Sequence, residues 1–268
     1  MTVNLSDVKA YWCKSNNFGD ALTPWIINKL TGLPVNYCEP SYQEDVYMVT
    51  GSILNWSLTN ATIWGCGLAN YTDRVFSNYK EIRSVRGPLT AKVAKANSGI
   101  IVPDIYGDPA LLLPKLYSPE VCKRYALGIL PHYADYNSVI NRLDYLPNDI
   151  LIIDLMAPVS NVITSILACD VCVSSSLHGI IASHAYGIPC KHIVFSDALW
   201  GDGLKFEDYY TSVNVAYQKP LNLSSSTEIS IKSIINYAVG GRRSVDIDLD
   251  LDLLFRVNPF YHLYKELK

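Results

Sequence analysis

The stretch Val171-Cys-Val-Ser-Ser-Ser-Leu-His-Gly-Ile-Ile-Ala-Ser-His-Ala-Tyr-Gly-Ile-Pro189 decides how this chain folds. The apolar run Val171 to Val173 has the character of a buried strand. It breaks into three serines, and an apolar helical segment begins near Leu177. Gly187-Ile188-Pro189 stops that helix and leads into another buried strand, His192 to Phe195. Strand, polar loop, helix and strand in this order build a parallel sheet with right-handed crossovers. The helix N-terminus presents unpaired N–H groups and a partial positive charge, so it favours an anion. Ser174, Ser175 and Ser176 can cap it or bind a ligand's oxygens, and His178 falls in its first turn. Alone, the stretch is most simply a capped helix with a surface histidine. The rest of the chain shifts that balance.

The same punctuation runs through the first half. Val8 to Trp12 is a candidate strand, followed by the turn-rich loop Lys14-Ser-Asn-Asn-Phe-Gly-Asp20. A helix follows with Leu22, Ile26 and Leu30 on one face, Pro24 suited to its first turn and Gly32 as its stop. Asp20 then sits where strand passes into helix, as a cap or facing a ligand. Val46 to Thr50 ends in Gly51-Ser52, Ala61 to Trp64 in Gly65-Cys-Gly67, and Glu81 to Val85 in Arg86-Gly87-Pro88. Pro88 suits the start of a helix to about Ala96, and Ile100 to Val102 is a further short strand. Ligands of such sheets bind outside the carboxyl ends of the strands. Asp20, Ser52 and Arg86 are expected there, and a guanidinium can clamp a carboxylate or phosphate with two hydrogen bonds.

Leu111 to Glu120 is the expected crossing to a second series. There Tyr125 to Leu130 ends in Pro131-His132-Tyr133, Ile150 to Asp154 is a strand, and Val162 to Ala168 is a helix. The expectation is an α/β chain of two Rossmann-like halves facing a cleft, residues 1–114 and 115–268. His132 and His178 would lie opposite Asp20 and Arg86. Beyond Gly201-Asp-Gly203 the pattern weakens. The alternating aspartates from Asp246 to Asp252 suggest a solvated connector, and Asn258-Pro259 opens a final helix to Leu267 that can pack back on the first half.

Composition fits an enzyme-sized globular chain. Its 268 residues are 49% hydrophobic and 18% charged, enough for substantial cores. The net charge of −3 gives no general attraction to nucleic acid. Residues 1–7 do not resemble a signal peptide, and no apolar run approaches the ~20 residues needed to span a bilayer. Seven dispersed cysteines suit a reducing cytoplasm. In that setting the Asn-x-Ser/Thr sequences at Asn4, Asn55, Asn60, Asn70 and Asn222 carry no glycosylation meaning. Cys169-Asp-Val-Cys172 has no second pair and reads as core, and the histidines lack ligand spacing, so no metal is expected.

Taken together, several short segments resemble the polysaccharide pyruvyl transferase family. They are Asn17-Phe-Gly-Asp-Ala-Leu22, Gly65-Cys-Gly-Leu68, Ser84-Val-Arg-Gly-Pro88, Gly107-Asp-Pro-Ala110, Gly128-Ile-Leu-Pro-His-Tyr133, Ser174 to Gly179 and Ala185 to Pro189, in the family's order. The resemblance implies a fold similar to the GT-B glycosyltransferases. It also implies transfer of pyruvate from phosphoenolpyruvate to a sugar of a cell-surface polysaccharide precursor, as a cyclic ketal and without a further cofactor. Arg86 matches a donor-associated arginine of the family. Leu177-His178 match the end of an Arg-Leu-His triplet whose arginine is here Ser176. Lys191, Lys14 or Arg83 is then expected to supply the missing charge, unless hydroxyls and backbone donors hold the anion alone.

The resemblance and the residue types give catalytic roles to His178, Asp20 and Arg86. His178 is the expected general acid or phosphate stabiliser, and Asp20 orients or deprotonates the acceptor hydroxyl. Arg86 clamps the donor, and Ser174, Ser175 and Ser176 bind phosphate. Asn17, Gly19, Ser52, Gly65, His132, Leu177 and Lys191 complete the expected binding set. A lipid-linked acceptor would bring the protein to the inner membrane peripherally. The alternatives are a GT-B glycosyltransferase using a nucleotide-sugar, with Asp154 or Asp197 on the ribose, and a non-enzymatic glycan- or phosphate-binding protein.

Overall fold

The computed structural model describes residues 6–39, 45–56, 60–76, 79–240 and 246–267. Residues 1–5, on which the signal-peptide and Asn4 readings fall, lie outside it, as does Ser57 of the Asn55 sequence. Two parallel sheets organise the chain. The first contains β1 (Val8–Ala10), β2 (Val35–Tyr37), β3 (Val46–Met48), β4 (Ala61–Trp64) and β5 (Glu81–Ser84), in the order β2-β1-β3-β4-β5. The second contains β6 (Tyr125–Leu130), β7 (Ile150–Ile152), β8 (Cys169–Ser174), β9 (Cys190–Val194) and β10 (Leu221–Asn222), in the order β10-β9-β8-β6-β7. Counted from its other edge, the second sheet repeats the order of the first. This is the doubly wound 2-1-3-4-5 arrangement, in which strand order reverses between the first and third strands and opens a crevice there.

The helices are α1 (Phe18–Thr31), α2 (Pro88–Ser98), α3 (Leu113–Leu116), α4 (Tyr136–Arg142), α5 (Val159–Leu167), α6 (Leu177–Ala185), α7 (Leu204–Ser212), α8 (Ile231–Val239), α9 (Leu251–Arg256) and α10 (Tyr261–Leu267). A 3-10 turn, Pro109–Leu112, precedes α3. One apolar core joins the halves: Phe18, Leu22 and Ile26 of α1 share it with Ile163 of α5 and Ile180 and Ile181 of α6. The Phe18 N–H donates across this boundary to the Leu155 carbonyl at 2.7 Å. The end of the chain rests on the first sheet. The Trp64 indole donates to the Leu254 carbonyl at 3.1 Å, and Phe260 packs on Tyr47 with ring centroids 4.6 Å apart.

Several local expectations change. Helix α1 starts at Phe18, capped by Asn17, so Pro24 falls in its second turn and Asp20 in its first. Asn17 takes the cap because its side-chain Oδ1 accepts the Asp20 N–H at 3.2 Å, which leaves the Asp20 carboxylate to turn outward from the helix start. Ile100 to Val102 is not a strand, and Ile101 is 82% exposed. β-branched residues form a strand only where a ladder accepts them, and the bridge that follows β5 goes to Tyr106, beyond this segment, as Val85–Tyr106. Among the aspartates from 246 to 252, Asp250 caps α9 by accepting the Leu253 N–H at 2.7 Å. Cys169 and Cys172 lie in the core, where a Cβ on Gly128 would come within 2.9 Å of both sulfurs.

Candidate active site

The carboxyl ends of the two sheets face one cleft of about 320 Å³. Cys13, Asn17 and Asp20 reach it from beyond β1, and Ser52 and Trp56 from beyond β3. His132 and Tyr133 follow β6; Ser176, Leu177 and His178 follow β8; Trp200 and Lys205 lie beyond β9. The residues that follow β1, β3, β6 and β8 thus come from both strand-order reversals, which the fold sets against each other.

Helix α6 begins at the cleft wall. Its N-cap, Ser176, is extended and makes no side-chain capping bond, so the hydroxyl stays on the cleft beside the first-turn N–H groups. His178 stands in that first turn, its imidazole held between two neighbours. Nδ1 lies over Gly19, where a Cβ would approach to 2.2 Å, and Nε2 is 3.5 Å from the buried Asp108 Oδ2. The other Asp108 oxygen accepts the Ala110 N–H at 2.9 Å, which fixes the carboxylate. A buried carboxylate facing one imidazole nitrogen orients the ring and its tautomer. At 3.5 Å the two atoms are in ion-pair range without a hydrogen bond, and among the described residues neither Asp108 Oδ2 nor His178 Nε2 has a hydrogen-bond partner.

Asp20 faces His178 from the first half. Ser15 donates to its Oδ2, and Asn17 Nδ2 donates to the same oxygen at 2.6 Å. Burial raises its pKa above the ordinary carboxylate range, opposed by the Ser15 bond, by His178 and by Asn17. A carboxylate of this kind is a stronger base than a solvated one. His132 is pushed the other way, down to about 4, first by burial and then by Lys205, so it is neutral at pH 7.

Asn17, Asp20, Ser52, His132, Ser176, Leu177 and His178 therefore line one cleft, as the sequence suggests. The other expected residues are placed elsewhere. Arg86 does not line this cleft: it is buried, and each of its three nitrogens donates to a protein oxygen. Nε donates to Asp208 at 3.0 Å, Nη1 to the Ser52 hydroxyl at 2.8 Å, and Nη2 to the Leu68 carbonyl at 2.6 Å. Asp208 also accepts the Thr90 N–H at 2.9 Å and its hydroxyl at 2.6 Å, so the pair is well satisfied. Gly67 seats this guanidinium, since a Cβ there would lie 2.3 Å from Cζ. Gly65 packs on Pro109 behind the cleft, and Gly19 lies under His178.

Two of the three serines also turn inward. The Ser174 hydroxyl bonds the Leu130 and Ser176 carbonyls at 3.0 and 3.1 Å. The Ser175 hydroxyl accepts the His132 N–H at 2.8 Å and donates to Asp135. Only Ser176 meets the cleft. The charge expected from Lys191, Lys14 or Arg83 does not come from them. Lys191 donates to the Tyr237 carbonyl at 3.0 Å, Lys14 pairs with Glu39 at 3.5 Å, and Arg83 pairs with Glu81 at 2.8 Å. Neither Asp154 nor Asp197 lines the cleft.

Lys205 and Asp108 are the residues that sequence reasoning missed. Asp108 was visible only as part of Gly107-Asp-Pro-Ala110. Lys205 left a fainter mark, two residues past the Gly201-Asp-Gly203 turn at the head of α7.

Comparison with known proteins places these features in a family. Residues 59–196 match the family described as Polysaccharide pyruvyl transferase, a span that contains Arg86, Asp108, His132 and His178. Uncharacterized protein L143 of Acanthamoeba polyphaga mimivirus is 31% identical over 253 residues, 90% of this chain and 85% of that protein. Succinoglycan biosynthesis protein ExoV of Rhizobium meliloti (strain 1021) is 32% identical over 238 residues, 83% of this chain and 70% of that protein.

Proposed function

Since this chain belongs to the polysaccharide pyruvyl transferase family and is an enzyme of pyruvyl transfer to polysaccharide, we propose that its donor is phosphoenolpyruvate and its product a cyclic ketal on a sugar. On this reading the two Rossmann-like halves form a GT-B-like pair divided near residue 114. The observation that carries the proposal is that Asp20 and His178 line one cleft together, at a wall formed by a helix N-terminus.

The chemistry suits these groups. One acceptor hydroxyl adds its oxygen to C2 of the enol phosphate while C3 gains a proton. The C2–O bond to phosphate then breaks, and a second hydroxyl of the same sugar closes the ketal and gives up its proton. Asp20, with its raised pKa, takes or directs a hydroxyl proton. His178, steered by Asp108, supplies a proton or stabilises the departing phosphate beside the first turn of α6. Ser176 binds an oxygen of that anion, and Arg86 acts at one remove by holding the Ser52 hydroxyl.

Trp56, Tyr133 and Trp200 give the cleft broad apolar surfaces suited to a sugar ring. Among the described residues no helix is long and apolar enough to cross a membrane. We place the enzyme in the cytoplasm, meeting a lipid-linked precursor at the membrane face. Incubation with phosphoenolpyruvate and a panel of galactosides, glucosides and aminosugars tests the reaction. Phosphate release matched by a pyruvyl ketal on one sugar is the expected result. Turnover of a nucleotide-sugar, with no response to phosphoenolpyruvate, would replace this reading with glycosyl transfer.

A further inference from the structure

Resting on the donor reading above, we propose that Lys205 binds an anionic group of phosphoenolpyruvate directly and is the residue that selects a charged donor. Among the described residues lining the cleft, it is the only lysine or arginine. Its Nζ donates one hydrogen bond, to the Trp200 carbonyl at 3.0 Å. An ammonium carries three N–H donors, so two remain for a ligand. Two buried or half-buried arginines do not line the cleft and bond protein oxygens instead: Arg86 those of Asp208, Ser52 and Leu68, and Arg142 the Phe195 and Leu223 carbonyls at 3.0 and 2.7 Å and that of Ser226.

The surroundings of Lys205 also suit an absent anion. Burial and the adjacent Arg86 push its pKa down to about 8, with Asp20 opposing them. The neighbouring charged and titratable groups are Arg86, Asp20, His132 and His192, with Glu207 and Asp208 on its own helix. An anionic ligand would restore the charge that this setting disfavours. The uncapped start of α6 offers a second anion cradle in the same cleft. Phosphoenolpyruvate carries two anionic groups, a carboxylate and a phosphate, and so can use both. A neutral sugar uses neither.

The test compares the full-length wild type with Lys205→Met and Lys205→Arg. Lys205→Met is expected to raise KM for phosphoenolpyruvate about 10- to 100-fold, the scale of a lost hydrogen bond to a charged group. The acceptor KM and the melting temperature should stay put. In the wild type, kcat/KM for the donor should fall as pH rises through about 8, where the ammonium loses its proton. In Lys205→Arg that fall should move to higher pH, because guanidinium stays charged. Inorganic phosphate serves as an inhibitor probe. If Lys205→Met weakens phosphate inhibition too, Lys205 holds the phosphoryl end; if only the donor KM rises, it holds the carboxylate. A folded Lys205→Met with unchanged donor KM overturns the assignment while leaving the donor reading intact. Wild-type enzyme indifferent to phosphoenolpyruvate overturns the donor reading, and this assignment with it. Should Lys205→Met not fold, an unchanged alkaline limit in Lys205→Arg overturns it instead.

Discussion

Arg86 and Lys205 come from opposite halves of the sequence and end close enough for the charge of one to depress the pKa of the other. Their surroundings differ completely. Arg86 is 1% exposed and meets the buried carboxylate of Asp208, which is itself held by Thr90. Lys205 donates to one carbonyl, stands 5.4 Å from the Phe206 ring centroid and faces the open cleft. A buried guanidinium bonded through all three of its nitrogens joins α7 to the first sheet and fixes Ser52. An ammonium with spare donors and an unfavourable setting is ready for a ligand. Proximity to a cleft therefore does not make a cation a ligand-binding group; facing the cleft, as Lys205 does and Arg86 does not, is what allows it.

This contrast can be broken or sharpened by substitution. The largest expected effect is on stability. Arg86→Met leaves Asp208 buried without its cation and should destabilise the fold by about 3–5 kcal/mol, read from urea unfolding. The double variant Arg86→Met, Asp208→Leu should recover a good part of that loss. If Arg86→Met instead keeps the wild-type midpoint and loses only donor affinity, the contrast is wrong.

The two glycines that seat charged side chains separate structure from catalysis next. Gly19→Ala pushes a methyl group into the His178 ring, and a displacement of that kind lowers kcat on the order of 10²-fold. Gly67→Ala pushes into the Arg86 guanidinium and should appear mainly as a lower melting temperature. Equal loss of kcat in both, at unchanged stability, would mean that Arg86 acts on the substrate after all.

The smallest effect is a division along the pH scale. Burial lowers the pKa values of His132 and His184 to about 4 and of His192 to about 3. Their unfolded values lie near ~6.5. Between those limits the unfolded chain binds more protons, so their contribution to stability is whole above about pH 6.5 and is lost as pH falls towards 4. Donor use should fail at the alkaline end, through Lys205. Melting temperature measured from pH 4 to 9 beside the donor kcat/KM checks this. A flat melting temperature between pH 4 and 6.5 would contradict the buried-neutral assignment.

Much of the architecture was legible because it depends on local pattern. Short apolar runs ending in glycine, serine or a charged residue marked strands whose carboxyl ends meet the cleft, and Asp20, Ser176 and His178 came together as that pattern implied. The second strand, Val35–Tyr37, was missed because three residues carry too little periodicity. The inward turn of Arg86 is not legible because its partner lies 122 residues away, and residue type alone does not say whether a guanidinium turns inward. The inward turn of Ser174 and Ser175 is equally hidden in the sequence, because a serine hydroxyl serves a protein carbonyl or a backbone N–H as well as a ligand. Lys205 escaped notice because α7 mixes polar and apolar residues and shows no clear face.

The most direct measurement is a crystal structure of the enzyme soaked with phosphoenolpyruvate. The expected result is one anionic group within about 3 Å of Lys205 Nζ and the other at the first turn of α6, with Arg86 still paired to Asp208. A guanidinium swung off Asp208 onto the ligand, with Lys205 left unused, would contradict the account.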